Sequence, residues 1–211
     1  MKDYTERIKK LKKQLIFEYN ISDEKVLDAI GRVPRHRFVE TSLHHRAYRN
    51  EALPIGFSQT ISRPSTVALM TELLELNGNE KILEIGTGSG YQAAVLAEIG
   101  CRVFTMERVK GLYERTRKLL EALNYYTIIP HLADGARGWP SEAPFDRIII
   151  TASVHLFDDI IFAQLAENGI MVAPVGKGEK QELYKFIRQD NKIYDFKITD
   201  AHFVPLLKGR G

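Results

Sequence analysis

The chain has 211 residues, of which 44% are hydrophobic and 27% charged. That size and balance predict one soluble globular domain and exclude a disordered or fibrous chain. One cysteine, Cys101, rules out an internal disulfide, and the formal net charge of +3 is too small to define a nucleic-acid binder by itself.

Residues 1–52 read as a helical N-terminal extension. Ile8, Leu11, Leu15 and Ile16 recur at helical spacing. The lysines of the first helix form a basic face, whose commoner meaning is solvation. Ser22 is expected to cap a second short helix, with Asp23 and Glu24 favouring its N-terminal dipole and Gly31 and Pro34 ending it. The first ten residues are charged and carry no apolar run, so no secretory leader is expected. No stretch nears the roughly 20 apolar residues of a membrane span, and the protein is expected in the cytoplasm.

Residues 53–64 read as a loop with little periodicity. Pro64 suits the first turn of the next helix, which carries Val67, Leu69, Met70, Leu73 and Leu74 and stops at Asn77-Gly78. From residue 80 onward, strands alternate with helices. Strands are expected at "KILEI", "RVFTM", "TIIPHLAD", "FDRIIIT" and "GIMVAPV". A helix over "LFDDIIFAQLAE" is expected between the last two, and "ELYKFIRQ" and "KIYDFKI" read as an antiparallel pair at one edge. The expected fold is α/β, a Rossmann-like, doubly wound, mostly parallel sheet with an antiparallel edge and the helical extension in front. Residues 1–211 form a single domain on this reading, with 65–211 as the ligand-binding core and C-terminal strands.

The sharpest constellation is Glu84-Ile85-Gly86-Thr87-Gly88-Ser89-Gly90 at a strand-to-helix turn. Its glycines permit a tight turn and close approach of a ligand to the backbone. Glu107 ends the next strand, where an acid can accept both hydroxyls of a ribose. This spacing also suits a dinucleotide. The GxGxG pattern matches a pyrophosphate site less well, however, and the charge of Glu84 would repel a pyrophosphate but attract the ammonium end of a zwitterionic, sulfonium-bearing ligand.

"LEIGTGSGYQAAVLAEIG" resembles the first motif of class I S-adenosylmethionine-dependent methyltransferases, and Glu107 and Asp134-Gly135 match that superfamily's second and third anchors. The resemblance implies S-adenosylmethionine as cofactor, held by Glu84, Gly86, Thr87, Gly88, Ser89, Gly90, Glu107, Arg108, Asp134 and Gly135. Glu107 would take the ribose and Asp134 would lie near the adenine.

The substrate is suggested by a different segment. "AYRNEALPIGFSQTISRPSTVALM", "APFDRIIITA" and the terminal "FVPL" resemble the protein-L-isoaspartate O-methyltransferase family, from about Val33 to Leu207. The resemblance implies methyl transfer to the free α-carboxylate of L-isoaspartyl residues in damaged proteins, initiating repair through a succinimide. It makes Ser62 the active-site serine, with Thr60 beside it as a second catalytic-site group. Gln59, Ile61 and Val204 would bind substrate. The competing local reading of Ser62 is a helix cap ahead of Pro64. "TASVH" and "NYYTII" depart from the family pattern away from the signature loop.

Other features carry less. Cys101 reads as a core residue, and the adjacent His44 and His45 point in different directions, so no metal is expected. The expected partners are isoaspartyl peptides and proteins, without membrane or nucleic acid, met by a monomer. The alternatives are an RNA or small-molecule methyltransferase, a nicotinamide oxidoreductase, or a binding module without catalysis.

Overall fold

The computed structural model describes residues 4–155, 159–178, 180–207 and 209. A seven-stranded sheet runs β5(Ile128–Leu132), β4(Arg102–Glu107), β3(Lys81–Ile85), β6(Phe145–Ile150), β7(Leu165–Lys177), β8(Lys180–Gln189) and β9(Lys192–Ala201). β5 through β7 are mutually parallel, whereas β8 and β9 turn back antiparallel. From β3 the chain winds outward through β4 and β5, then returns to place β6 on the other side of β3. The direction therefore reverses at the β3–β6 boundary, where open α/β sheets bind ligands beyond their strand ends.

Two apolar layers sandwich the sheet. One contains Ile82, Val103, Ile149 and Val172 under the N-terminal helices and α4(Tyr91–Ile99). The other contains Leu83, Phe104, Ile148 and Met171. Alternate strand residues face opposite layers, as pleating requires. Trp139 packs beside Asp134's segment, stacked on His131 at 4.4 Å and edge-on to Phe104.

The N-terminal helices follow the apolar spacing, with corrections. α1(Thr5–Tyr19) buries Leu11 and Leu15, but Ile16 is exposed. Asp23, not Ser22, caps α2(Glu24–Arg32), accepting hydrogen bonds from the Lys25 and Val26 amides. The Ser22 amide and hydroxyl instead donate to Glu72 Oε1. Both serve the same purpose: free amides at a helix start find an oxygen.

Two expectations fail outright. Residues 53–64 are not a plain loop but contain a short hairpin, β1(Leu53–Gly56) and β2(Gln59–Ile61), turning through Phe57 and Ser58 with φ of 55° and 56°. The helix expected over 156–167 shrinks within the described residues to α6(Asp159–Phe162), because Leu165 already pairs with Phe145 at the start of β7. Residues 156–158 of that expected helix lie outside the described residues.

α3(Pro64–Glu72) begins at Pro64 as expected but ends before Asn77-Gly78. Its first turn is tied down by Asn50, whose side chain accepts from the Ser65 amide at 2.9 Å. Ser62 is therefore not the cap: Arg63 holds that position without a capping bond from its own side chain, and Asn50 supplies the oxygen instead.

Candidate active site

The glycine loop connects β3 to α4 at the switch point. Gly86 has φ of +103°, and a Cβ there would stand 2.4 Å from Thr151 Oγ1. Thr151, at the end of β6, donates its hydroxyl to the Gly86 carbonyl at 2.6 Å. The backbone is thus folded into a shape only glycine adopts without strain, with both neighbouring strands holding it.

Above this loop lies a cavity of about 950 Å³ of open space including its mouth. The glycine loop, from Gly86 to Ser89, forms its floor. Met106, Glu107, Arg108 and Val109 line one side, and Thr151, Ala152 and the segment Val204–Leu207 the other. Gln59, Thr60, Ile61 and Ser62 enter from the hairpin, with Val67 and Met70 of α3 behind them. The residues expected from separate sequence motifs therefore converge on one space.

Glu107 is fixed by two backbone amides at 2.9 Å, Gly88 on Oε2 and Val109 on Oε1. Each oxygen keeps a further lone pair, so the carboxylate can still accept a pair of vicinal hydroxyls. Ile85, Met106 and Val109 give the neighbouring wall an apolar surface.

Three expected cofactor residues do not line the cavity. Gly90 starts α4, and a Cβ there would meet Thr116 at 2.7 Å, so it serves helix packing. Asp134 caps a short turn through the Ala136 amide and accepts from the Gly209 amide at 2.6 Å. Together with Arg108, which donates to the Gly209 carbonyl at 2.9 Å, it fastens the C-terminal segment beside the cavity. Gly135 does line the space.

Glu84 is wholly buried beneath the loop. It accepts from Thr105 Oγ1, which lies 2.6 Å from Thr87 Oγ1, and its Oε1 has no partner. Burial pushes its carboxyl up to about 8, the Thr105 hydrogen bond opposes this, and Glu107 adds to it. A surface charge attracting an ammonium group is thus not what the fold presents here: the acid is protonated at neutral pH and acts through two threonines.

On the substrate side, Ser62 is half-buried at the end of the hairpin, and its carbonyl accepts from Arg35 at 2.7 Å. Its hydroxyl makes no hydrogen bond to a described residue. Thr60 is exposed and Gln59 half-buried, both lining the cavity, and Ile61 is packed in the core. Val204 borders the same space, and its carbonyl accepts from the Ser153 amide at 2.8 Å.

Sequence reasoning missed Thr151, Tyr91, Gln92 and Arg35. Thr151 falls in the "TASVH" segment, and its place after a buried strand next to the glycine strand was the available signal. Arg35 gave none, since an arginine between Pro34 and His36 reads as surface. Cys101 is buried, donates to Glu80, and is pushed up to about 12 by burial and by Glu80, which leaves no thiolate for chemistry.

A glycine floor at a switch point, a carboxylate with lone pairs free for a ribose and a partly apolar cavity fit a class I methyltransferase site. The family model "Protein-L-isoaspartate(D-aspartate) O-methyltransferase (PCMT)" matches residues 6–211, and the chain belongs to that family. A protein-L-isoaspartate O-methyltransferase of Dictyoglomus thermophilum is 46% identical over 193 residues, covering 92% of this chain and 88% of the relative. One from Pseudoalteromonas translucida is 46% identical over 208 residues, covering 98% and 97%. A solved protein-L-isoaspartate O-methyltransferase superposes with a TM-score of 0.85 at 26% identity, over 97% of this chain and 67% of that one. A Plasmodium falciparum structure described in the same terms, solved with S-adenosyl-L-homocysteine, shares the fold with a TM-score of 0.84 at 23% identity, over 99% and 100%. The cofactor of this enzyme is S-adenosylmethionine and its reaction is methyl transfer to a carboxyl oxygen.

Proposed function

We infer that the enzyme methylates the free α-carboxylate of L-isoaspartyl residues, with the Gln59–Ser62 strand holding that carboxylate against the cofactor site. The observation that carries this is the meeting of the hairpin and the glycine loop across one cavity. S-adenosylmethionine supplies an electrophilic methyl group and a neutral thioether leaving group. The residues present fit it, with Gly86–Ser89 as the backbone cradle, Glu107 as acceptor for the ribose hydroxyls, and Arg108 and Gly135 at the cavity wall.

The chain has little chemistry left to perform. A carboxylate with a pKa of about 4 is ionised at neutral pH, so no general base is needed. Orientation alone can lower such a barrier by about 7–11 kcal/mol when the geometry is right. The Ser62 and Thr60 hydroxyls orient the carboxylate, and Gln59 and Val204 bind the neighbouring peptide. Ile55, Ile61 and Met70 exclude water. Exclusion does not oppose the step, because the carboxylate's negative charge and the donor's positive charge are lost together. The ester formed is displaced by the next amide nitrogen to give a succinimide, whose hydrolysis restores some normal aspartate.

The single buried thiol suits a reducing compartment such as the cytoplasm. Among the described residues no helix is long and apolar enough to cross a membrane.

The test uses methyl-labelled S-adenosylmethionine and two peptides differing only in isoaspartate or aspartate at one position. Base-labile label should appear in the isoaspartyl peptide alone. Equal labelling of both, or of neither while cofactor binds, overturns the substrate assignment.

A further inference from the structure

Arg35 lies in a short 3₁₀ turn (Arg35–Phe38) and has no exposed surface. Its Nε donates to the Ala47 carbonyl at 2.9 Å and its Nη2 to the Ser62 carbonyl at 2.7 Å, with the Glu51 carbonyl at 3.5 Å. The guanidinium stacks over Tyr91, 4.6 Å from the ring centroid, and Tyr91 lines the cavity. Among the described residues no carboxylate forms an ion pair with it. Glu51, whose backbone it touches, gives its own carboxylate to Arg46 in a two-pronged pair. Among the described residues Arg35 Nη1 meets no carboxylate and no carbonyl; its neighbour on that side is Tyr91, a neutral group that leaves the charge in place.

A buried cation without a counter-ion is an expensive way to hold a loop. A hydrophobic residue packs a turn more cheaply, and arginine cannot shed its charge by releasing a proton. Carbonyl dipoles and a ring face offset part of that cost but leave a net positive charge. This charge sits on the carbonyl of Ser62 itself, in a region water does not screen. The cation that lines the cavity among the described residues, Arg108, is partly exposed and bonded to the Gly209 carbonyl.

We propose that Arg35 is a specificity-determining positioning residue: it fixes the Ser62 backbone and supplies the unneutralised positive charge that makes the cavity select a carboxylate over a neutral group. This rests on the reading that the Gln59–Ser62 strand holds the carboxylate. Arg35 touches neither substrate nor cofactor; it acts through Ser62 and Tyr91.

The test measures calorimetric binding of two peptides to the S-adenosylhomocysteine-saturated enzyme. One carries the isoaspartyl α-carboxylate, the other the corresponding α-carboxamide. The natural enzyme should prefer the carboxylate. Arg35→Gln removes the charge while keeping a polar side chain, and should cut that preference about tenfold, with S-adenosylhomocysteine affinity unchanged. Arg35→Lys should restore most of the preference. If Arg35→Gln weakens both peptides equally, or neither, the charge has no selective role and the proposal fails. Ser62→Ala, measured alongside, separates the two ideas. Should it weaken the isoaspartyl peptide while Arg35→Gln leaves the preference intact, the strand reading stands and the Arg35 proposal falls. Should neither variant change binding, both fall. If Arg35→Gln does not fold, the natural enzyme still decides. A buried charge keeps its effect as salt rises from about 0.05 to about 0.5 M, whereas an exposed one is screened. Collapse of the preference with salt overturns the proposal.

Discussion

Thr105 donates its hydroxyl to Glu84 in the floor of the site, and Thr87 joins the pair from the glycine loop. The acid is neutral in the folded protein up to about pH 8, whereas its ordinary value is 4.5. The folded state therefore binds one more proton than the unfolded chain between those limits. Stability gained at low pH declines as pH rises from about 4.5 to about 8. Glu84→Gln, which mimics the protonated acid, should remove this decline. Urea denaturation of the ligand-free protein at pH 5 and pH 8 checks it. Parallel losses in both proteins would mean that Glu84 is ionised in the fold.

Glu80 has the opposite sign. Burial pushes its carboxyl up, but hydrogen bonds from the Asn77 and Gly78 amides and from Cys101 outweigh this and hold it at about 2. Its contribution is full above about 4.5 and is lost as pH falls toward about 2. Glu80→Gln should cost about 2–3 kcal/mol at pH 7 and only a small fraction of that at pH 2. Denaturation midpoints across that range provide the measurement, and an unchanged midpoint at pH 7 would contradict the assignment.

Gly86→Ala adds a Cβ at φ of +103°, 2.4 Å from Thr151 Oγ1. Left-handed strain alone costs about 1–3 kcal/mol, and the loop must also shift away from Thr151. We expect a lower melting temperature and at least a tenfold weaker affinity for S-adenosylhomocysteine by calorimetry. Gly178→Ala, with nothing within 4 Å, is the control that carries only the strain of a positive φ. Equal cofactor affinity in the two variants would remove the glycine floor from the binding site.

Ser62→Ala removes a hydroxyl that no described residue engages in the free enzyme. A hydrogen bond to a charged group is worth about 1.5–3 kcal/mol, so kcat/KM for an isoaspartyl peptide should fall about tenfold or more. S-adenosylhomocysteine affinity and melting temperature should stay constant. A loss of melting temperature in step with activity would instead mark Ser62 as a packing residue.

The sequence made the site partly legible because its signals are local. Three glycines between an apolar strand and a helix, with Glu107 ending the next strand, mark a nucleoside site, although spacing alone left S-adenosylmethionine and a dinucleotide both open. The mostly parallel sheet and the antiparallel β8–β9 edge followed from alternating patterns, whereas the strand order did not. What stayed hidden depended on distant partners. Arg35 is core only because Ala47 and Ser62 carbonyls receive its protons. Glu84 is neutral only because the fold closes over it. The hairpin escaped notice because its turn uses Phe57-Ser58, not the Asn-Gly that normally marks positive φ at both positions. The helix expected before β7 was cut short by Leu165 pairing across the sheet, a long-range contact that helical spacing cannot report.

That hairpin is docked onto α5(Lys110–Ala122) at two points. Arg115 Nη2 donates to the Ile55 carbonyl at 2.5 Å, and the Phe57 ring lies on Gly111 so closely that a Cβ there would meet it at 2.3 Å. Phe57 is otherwise 56% exposed, so the ring can swing away without disturbing the core. Gly111→Ala should therefore change the melting temperature little, yet loosen the strand that carries Gln59, Thr60 and Ser62. We expect kcat/KM for an isoaspartyl peptide to drop several-fold, mostly through KM. Adding Phe57→Ala relieves the clash and should recover part of the loss, provided the ring's displacement and not its absence does the harm. Peptide kinetics on the two variants and on Phe57→Ala alone measure the coupling between the ring and Gly111. Strict additivity would show that the hairpin tip and α5 act independently and that docking does not set the substrate strand.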